Sequence, residues 1–234
     1  MNRLLVASIA VGSMAPLACA ASVGPGPSDA QSPRADPIRY VALGDSYTIG
    51  TGVGRNDRWP DQLVLAVGDS AQLELVANLG VNGYTSGDLI GGELPELADL
   101  RPGFVSILIG VNDVVQGVSI DRYRANVEQI LGEVLALVPR ERIVVVATPD
   151  YTRTPRGADF GDPEEQRAGI RAVNEVMRAE ATERGIAFVD VAPVADQAGE
   201  DRALVAGDQL HPSGVQYGRW VELIAPVIEK LFRD

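Results

Sequence analysis

Five short apolar runs alternate with segments of helical periodicity from Ile38 onward, and this alternation restricts the fold more than any other feature. Each run is short enough to be a fully buried strand. The predicted strands are Ile38–Leu43, Leu73–Ala77, Val105–Ile109, Ile143–Ala147 and Ala187–Val191. Strands that are separated by helices form right-handed βαβ units around a parallel sheet. The sequence therefore predicts an α/β fold, a three-layer αβα sandwich with a five-stranded parallel sheet.

The helical segments begin at recognisable signals. Thr85 and Asp88 have the spacing of a capping box, and Asp162 stands directly before a proline and two glutamates. A final helix is predicted from about Pro212 to Phe232. Its inner face is predicted to contain Val215, Trp220, Leu223, Ile224, Val227 and Leu231.

The N-terminus has the pattern of an export signal over residues 1–20. A positively charged start precedes an apolar stretch too short for an ordinary transmembrane helix, and an Ala-Cys-Ala cleavage pattern follows. Residues 21–37 are predicted to be a flexible linker and residues 38–234 the folded domain. Cleavage after Ala20 and lipid attachment at Cys19 both fit the pattern. Either outcome places the mature protein outside the cytoplasm.

The composition excludes several classes of function. A formal net charge of −12 argues against binding to nucleic acid, which requires clustered lysine and arginine. Cys19 is the only cysteine and Lys230 the only lysine, so thiol catalysis in the domain and lysine chemistry elsewhere are excluded. A single histidine argues against a zinc site.

Polar residues follow the first three predicted strands and precede the last helix. The stretches are Gly-Asp-Ser at 44–46, Asn-Leu-Gly-Val-Asn-Gly at 78–83, Gly-Val-Asn-Asp at 110–113 and Asp-Gln-Leu-His at 208–211. In open α/β sheets, ligands bind beyond the carboxyl ends of the strands. His211 is the only histidine, and a carboxylate three residues earlier can accept its Nδ1 proton. Such a pair can activate a hydroxyl nucleophile.

A second Gly-Asp-Ser, at residues 68–70, shows that the tripeptide alone proves little. It follows a helical segment rather than a strand and is predicted to be a helix end and turn. Asp45 and Asp113 are predicted to brace their loops through hydrogen bonds rather than to react. The glycine-rich run 50–54 lacks nucleotide-loop spacing and is predicted to be a flexible loop beside the site.

The four polar blocks, in this order, resemble those of the SGNH hydrolases, also called GDSL esterases. The resemblance extends from Ile38 to the C-terminus, with Gly-Asp-Ser-Tyr where the family often has Gly-Asp-Ser-Leu. It implies the flavodoxin-like fold of that family, with Ser46 as nucleophile, His211 as base and Asp208 as the residue that orients the base. The remaining implied residues form an oxyanion hole that comprises the backbone N–H groups of Ser46 and Gly83 and the side chain of Asn112.

The resemblance also implies the reaction. The chain is expected to be an exported serine esterase that forms an acyl-enzyme, needs no metal or cofactor and acts on a small-molecule ester. The blocks Arg-Trp-Pro at 58–60, Thr-Pro-Asp-Tyr at 148–151 and Leu-His-Pro at 210–212 resemble a lysophospholipase-like branch. Short-acyl esters, lysolipids and acetylated carbohydrates remain alternative substrates, acyl transfer an alternative reaction, and noncatalytic binding a rival function. The segment 151–157, after the fourth predicted strand, is expected to line the site. Its Arg153 and Arg156 are candidates for contact with an anionic head group or for solvated loop charges.

Overall fold

The computed structural model describes residues 36–233. The predicted export signal and all of the predicted linker except its last two residues lie outside this range, and the domain bounds stay a prediction. In the part of the chain that the structure describes, no helix is long and apolar enough to cross a membrane.

Five parallel strands form one sheet in the order β2-β1-β3-β4-β5. The strands are β1 (Ile38–Gly44), β2 (Leu73–Asn78), β3 (Phe104–Leu108), β4 (Ile143–Val146) and β5 (Ala187–Val189). All five predicted strands are confirmed, each with ends within two residues of the prediction. Apolar residues of β3, of β4 and of β1 from Tyr40 onward are almost completely buried, because helices cover both faces of the sheet.

Ten α-helices lie within the described range, eight of them between strands and two after β5. They are α1 (Ser46–Ile49), α2 (Trp59–Ala66), α3 (Gly68–Ala71), α4 (Ser86–Gly92), α5 (Leu94–Leu100), α6 (Val111–Val115), α7 (Ile120–Leu135), α8 (Pro163–Glu183), α9 (Ala192–Ala195) and α10 (Gly214–Leu231). Short 3₁₀ segments lie at Arg55–Asp57, Arg140–Arg142, Tyr151–Arg153, Gly157–Phe160, Asp196–Gly199 and Arg202–Leu204. The predicted capping box at Thr85 and the predicted N-cap at Asp162 are confirmed. The three-layer αβα sandwich is therefore confirmed.

Two features of the helices differ from the sequence prediction. On α10, Trp220 and Ile224 are buried as expected, but Val215 is 54% exposed and Leu223 is 37% exposed. The buried stripe instead includes Tyr217 and Ile228, because the aromatic residues at 217 and 220 determine which side of the helix faces the sheet. The second Gly-Asp-Ser forms the helical turn α3 rather than a helix end and turn.

The sheet order places the ends of β1 and β3 at the point where the connections diverge. From β1 the chain crosses to β2 on one side, and it then returns to β3 on the other side. The loops after β1 and β3 leave a crevice at this point, which is the usual ligand site of such a sheet. Ser46 follows β1 and Asn112 follows β3, so the topology brings two distant segments to one crevice.

Candidate active site

Ser46 begins α1 directly after the end of β1. Asp45 is the N-cap of this helix, and its Oδ1 accepts the N–H of Tyr47 at 2.9 Å. Gly44 has φ +151°, and a Cβ there would lie 2.2 Å from the Leu108 carbonyl oxygen, so only glycine fits this close approach to β3. Ser46 is only 8% exposed, although its hydroxyl lines a surface cleft. The predicted bracing role of Asp45 is thus confirmed.

Asp208 and His211 belong to one tight loop before α10. Asp208 Oδ1 accepts the backbone N–H groups of Leu210 and His211, each at 3.0 Å, while Gln209 adopts a left-handed conformation with φ +64°. The Ala206 N–H donates to the His211 carbonyl at 2.8 Å, which closes the base of the loop. These bonds hold the aspartate and the imidazole on the same side of the loop.

Ser46, His211 and Asp208 form a continuous hydrogen-bonded chain. The Oγ of Ser46 lies 2.9 Å from Nε2 of His211, and Nδ1 of His211 lies 2.6 Å from Oδ2 of Asp208. Burial disfavours the charged form of Asp208, but hydrogen bonds from the Leu210 N–H and from the ring and N–H of His211 outweigh it, so the pKa of the carboxyl lies below its usual value. The resulting carboxylate accepts the Nδ1 proton and leaves Nε2 as an acceptor for the serine hydroxyl.

Gly83 and Asn112 lie on the same cleft as Ser46 and His211. Gly83 has φ +83°, and its backbone N–H has no hydrogen-bond partner among the described residues. The Asn112 side-chain amide donates to the Tyr84 carbonyl at 2.9 Å, which fixes its orientation and leaves a second N–H. The Ser46 N–H is likewise without a partner in the described range, as expected at the first position of a helix. The predicted residues therefore converge on one cleft.

The loop after β2 approaches the nucleophile turn closely. A Cβ at Gly80 would lie 2.9 Å from the Asp45 carbonyl oxygen, and the Asn78 side chain donates to the Thr48 carbonyl at 2.7 Å. Asp113, on α6 after β3, is buried and accepts the N–H of Ser86 at 2.8 Å and its hydroxyl at 2.5 Å. The predicted bracing role of Asp113 is confirmed.

The walls of the cleft include residues that the sequence motifs did not identify. The cleft has a volume of about 200 Å³. Its apolar and aromatic lining comprises Tyr47, Val111, Val115, Tyr151, Phe160 and Leu210. Tyr47 packs against the imidazole of His211 with ring centroids 5.3 Å apart, and Tyr151 packs edge-on against Phe160 at 5.6 Å. Tyr151 thus bears out the expectation that the segment 151–157 lines the site, whereas Val115 and Phe160 lie outside the sequence blocks.

The arginines of the loop after β4 do not line the cleft. Arg156 is exposed and pairs with Asp159 at 2.8 Å, whereas Arg153 lines a separate polar cavity with Arg167 and Arg171. In the glycine-rich run 50–54, Thr51 contributes to the rim of the cleft. Within residues 36–233, no group of three His, Cys, Asp or Glu side chains is arranged to hold a metal ion.

The protein has the sheet order of an αβα-sandwich hydrolase. As in that class, the polar loops at the strand ends converge on one cleft. The chain belongs to the GDSL-like lipase/acylhydrolase family, whose sequence model matches residues 42–219. This is the SGNH hydrolase family that the four polar blocks resemble, and it makes the protein a carboxylic ester hydrolase.

Individual relatives agree with this assignment. A lipase from Streptomyces rimosus is 28% identical over 194 residues, which cover 68% of this chain and 72% of the lipase. The lipase/acylhydrolase from Enterococcus faecalis superposes with a TM-score of 0.67 at 20% identity, over 82% of this chain and 96% of that chain. A variant of an acetyl xylan esterase from Geobacillus stearothermophilus gives a TM-score of 0.62 at 22% identity, over 82% and 94%. At 20% and 22% identity, these two structures show that the fold is shared and nothing about the substrate.

Proposed function

We propose that the protein is a serine esterase that hydrolyses carboxylic esters through an acyl-enzyme on Ser46. The observation that carries the proposal is the chain of hydrogen bonds from Ser46 through His211 to Asp208, at 2.9 and 2.6 Å, on the wall of an apolar cleft. A serine hydroxyl is a weak nucleophile at its free pKa and requires such a base. The contacts to both ring nitrogens supply the base and its orientation.

In the proposed reaction, the Oγ of Ser46 bonds to the ester carbonyl carbon while its proton passes to Nε2 of His211. The carbonyl oxygen becomes an oxyanion, which the N–H groups of Ser46 and Gly83 and the amide of Asn112 stabilise. His211 then gives the proton to the departing alcohol, and the acyl group remains on Ser46. A water molecule that loses its proton to His211 releases the carboxylic acid, and Ser46 regains its proton.

The substrate class that fits the cleft best is an ester with a short to medium aliphatic acyl group. The side chains of Val111, Val115 and Phe160 give the acyl group an apolar wall, and a volume of about 200 Å³ limits its length. Each methylene buried on such a wall contributes about 0.8 kcal/mol, or about a fourfold gain in kcat/KM. A long fatty acyl chain would have to extend beyond the cleft.

An acyl-length series tests this assignment on p-nitrophenyl esters from acetate to dodecanoate. We expect kcat/KM to rise with chain length until the cleft is filled and then to fall. Phe160→Ala is expected to move the optimum to longer chains with little change on acetate, because it removes part of the wall. Leu65→Ala is a matched control, since Leu65 is 79% exposed and does not line the cleft. An unchanged profile in Phe160→Ala would contradict the acyl assignment.

Acetylated carbohydrate is the second candidate substrate. Thr51 and Asn82 form a polar rim beside the apolar wall, with Thr51 Oγ1 2.5 Å from Asn82 Oδ1, and such groups can bind sugar hydroxyls. The fold shared with the acetyl xylan esterase agrees with this alternative. A higher kcat/KM on acetylated xylooligosaccharides than on every aliphatic ester in the series would favour it.

Two further alternatives can be tested in the same way. Lysolipids in the same series test the lysophospholipase-like assignment, and a competing alcohol tests acyl transfer.

We infer from the N-terminal pattern that the protein is exported, which stays a prediction because residues 1–20 lie outside the described range. Cleavage after Ala20 gives a mature N-terminus at Ala21, and this is the outcome we expect. Lipid attachment would instead leave a modified Cys19 at the N-terminus. The mass of the N-terminal peptide, measured on protein recovered from the source organism, distinguishes the two outcomes. An unprocessed Met1 in the cytoplasmic fraction would contradict export.

A further inference from the structure

A buried glutamate, Glu93, contacts the strand that carries the nucleophile. Glu93 lies between α4 and α5 and is 2% exposed. Its Oε2 accepts the backbone N–H of Gly44 at 2.9 Å, although 49 residues separate them in sequence. Its other oxygen, Oε1, is buried and has no hydrogen-bond partner among the described residues. The reaction proposed above gives this carboxyl group no role.

The contact is made where the backbone before Ser46 is most constrained. Gly44 ends β1 with φ +151°, and β3 leaves no room there for a Cβ, which would meet the Leu108 carbonyl oxygen. On the other side, the Gly44 carbonyl accepts the N–H of Val81 at 3.2 Å. The bond from Gly44 N–H to Glu93 is therefore one of the contacts that set the direction in which the chain leaves the strand. Ser46 is two residues further on.

The surroundings of Glu93 favour its neutral form. Burial, the nearby Asp45 and the Glu96 carboxylate on α5 together raise the pKa of Glu93 to about 9. Burial also raises the pKa of Asp45 to about 7, and the Asp113 carboxylate after β3 adds to this effect. Asp45 Oδ2, like Glu93 Oε1, is buried without a partner in the described range. The charged groups that act on Glu93 from neighbouring elements are thus acidic.

We propose that Glu93 is a positioning residue whose buried carboxyl group holds the Gly44 backbone and so orients Ser46 towards His211. The proposal rests on the proposed function, because it assumes that Ser46 is the nucleophile. A neutral carboxyl still accepts the Gly44 N–H through Oε2. It also adds no negative charge to the strand end two residues before Ser46, where a carboxylate would disfavour the nearby oxyanion.

The deciding variant is Glu93→Gln, which keeps the acceptor for Gly44 and cannot ionise. We expect its kcat/KM on a short-acyl ester to stay within about twofold of wild type at pH 7. The wild-type kcat is expected to fall as the pH rises through 9, while Glu93→Gln retains its activity there. Glu93→Met, which has no strong acceptor, is expected to lose about 10- to 100-fold in kcat with little change in KM, because the nucleophile is misplaced. Glu128→Gln, an exposed glutamate on α7, is the matched control.

The pH dependence of unfolding is a second readout. Glu93 keeps its proton in the folded state up to about pH 9, whereas in the unfolded chain it loses it near 4.5. The free energy of unfolding should therefore fall as the pH rises between these values, and less so in Glu93→Gln. Parallel kcat profiles for wild type and Glu93→Gln, or failure of Glu93→Gln to fold, would overturn the proposal. Retention of activity by Ser46→Ala in the same assay would instead overturn the proposed function.

Discussion

Ser46→Ala and His211→Ala are each expected to lower kcat for p-nitrophenyl acetate by about 10⁴- to 10⁶-fold, with the protein still folded. The alanine at 46 has no oxygen to form the acyl-enzyme. The alanine at 211 removes the group that lies 2.9 Å from the serine hydroxyl and accepts its proton. Because the two residues act as one unit, the double variant should lose no more activity than either single variant. Steady-state kinetics and labelling by a fluorophosphonate probe measure both effects.

The second Gly-Asp-Ser provides a matched control for this prediction. Ser70 has the same two preceding residues as Ser46, but it is exposed on α3 and does not line the cleft. Ser70→Ala should therefore retain full activity and full probe labelling. Asp208→Ala should be milder than Ser46→Ala or His211→Ala, because the imidazole remains and loses only its orientation. Near wild-type activity of Ser46→Ala, or absence of labelling in folded wild type, would contradict the serine mechanism.

Asn112→Ala is expected to lower kcat by about 10²- to 10³-fold, equivalent to about 3–4 kcal/mol of transition-state stabilisation. The amide of Asn112 is held on the cleft by the Tyr84 carbonyl at 2.9 Å, so its free N–H is oriented before the oxyanion forms. KM should change little, because the contact strengthens mainly in the transition state. Steady-state kinetics on the preferred p-nitrophenyl ester give both constants.

Two further variants sharpen the test of the oxyanion hole. Asn112→Asp should be at least as damaging as Asn112→Ala, since a carboxylate of the same shape donates no hydrogen bond and repels the oxyanion. Asn56→Ala is the control, because Asn56 is an exposed asparagine outside the cleft. A decrease in kcat of less than tenfold in Asn112→Ala, with unchanged thermal stability, would remove Asn112 from the oxyanion hole.

The strands were predictable because a fully buried strand is a continuous apolar run. Val105–Ile109 was predicted and Phe104–Leu108 is observed, a shift of one residue that leaves the following Gly110 loop in place. The roles of Asp208 and His211 were predictable for another reason. His211 has no competitor in the sequence, and the aspartate that contacts it is only three residues away. In both cases a local pattern carried the information.

Burial by distant segments was harder to predict. Val215 and Leu223 have the apolar character of core residues, yet they are exposed because Tyr217 and Trp220 turn the other side of α10 towards the sheet. Phe160 lies in a loop with no periodic pattern, and its place on the cleft depends on packing against Tyr151. Predictions based on residues that are close in sequence do not identify such contacts.

The sequence alone determines the five-stranded sheet, through the order of its apolar runs and turn glycines. It also identifies the segments that carry Ser46, Asn112 and His211. These features depend on local backbone preference and on the need to bury continuous apolar strands. The burial of Glu93 against Gly44 and the apolar wall of the cleft follow from the folded chain alone. A glutamate beside a helix is ordinarily solvated, and it is the packing of the α4–α5 junction beneath β1 that removes water from this carboxyl group and raises its pKa.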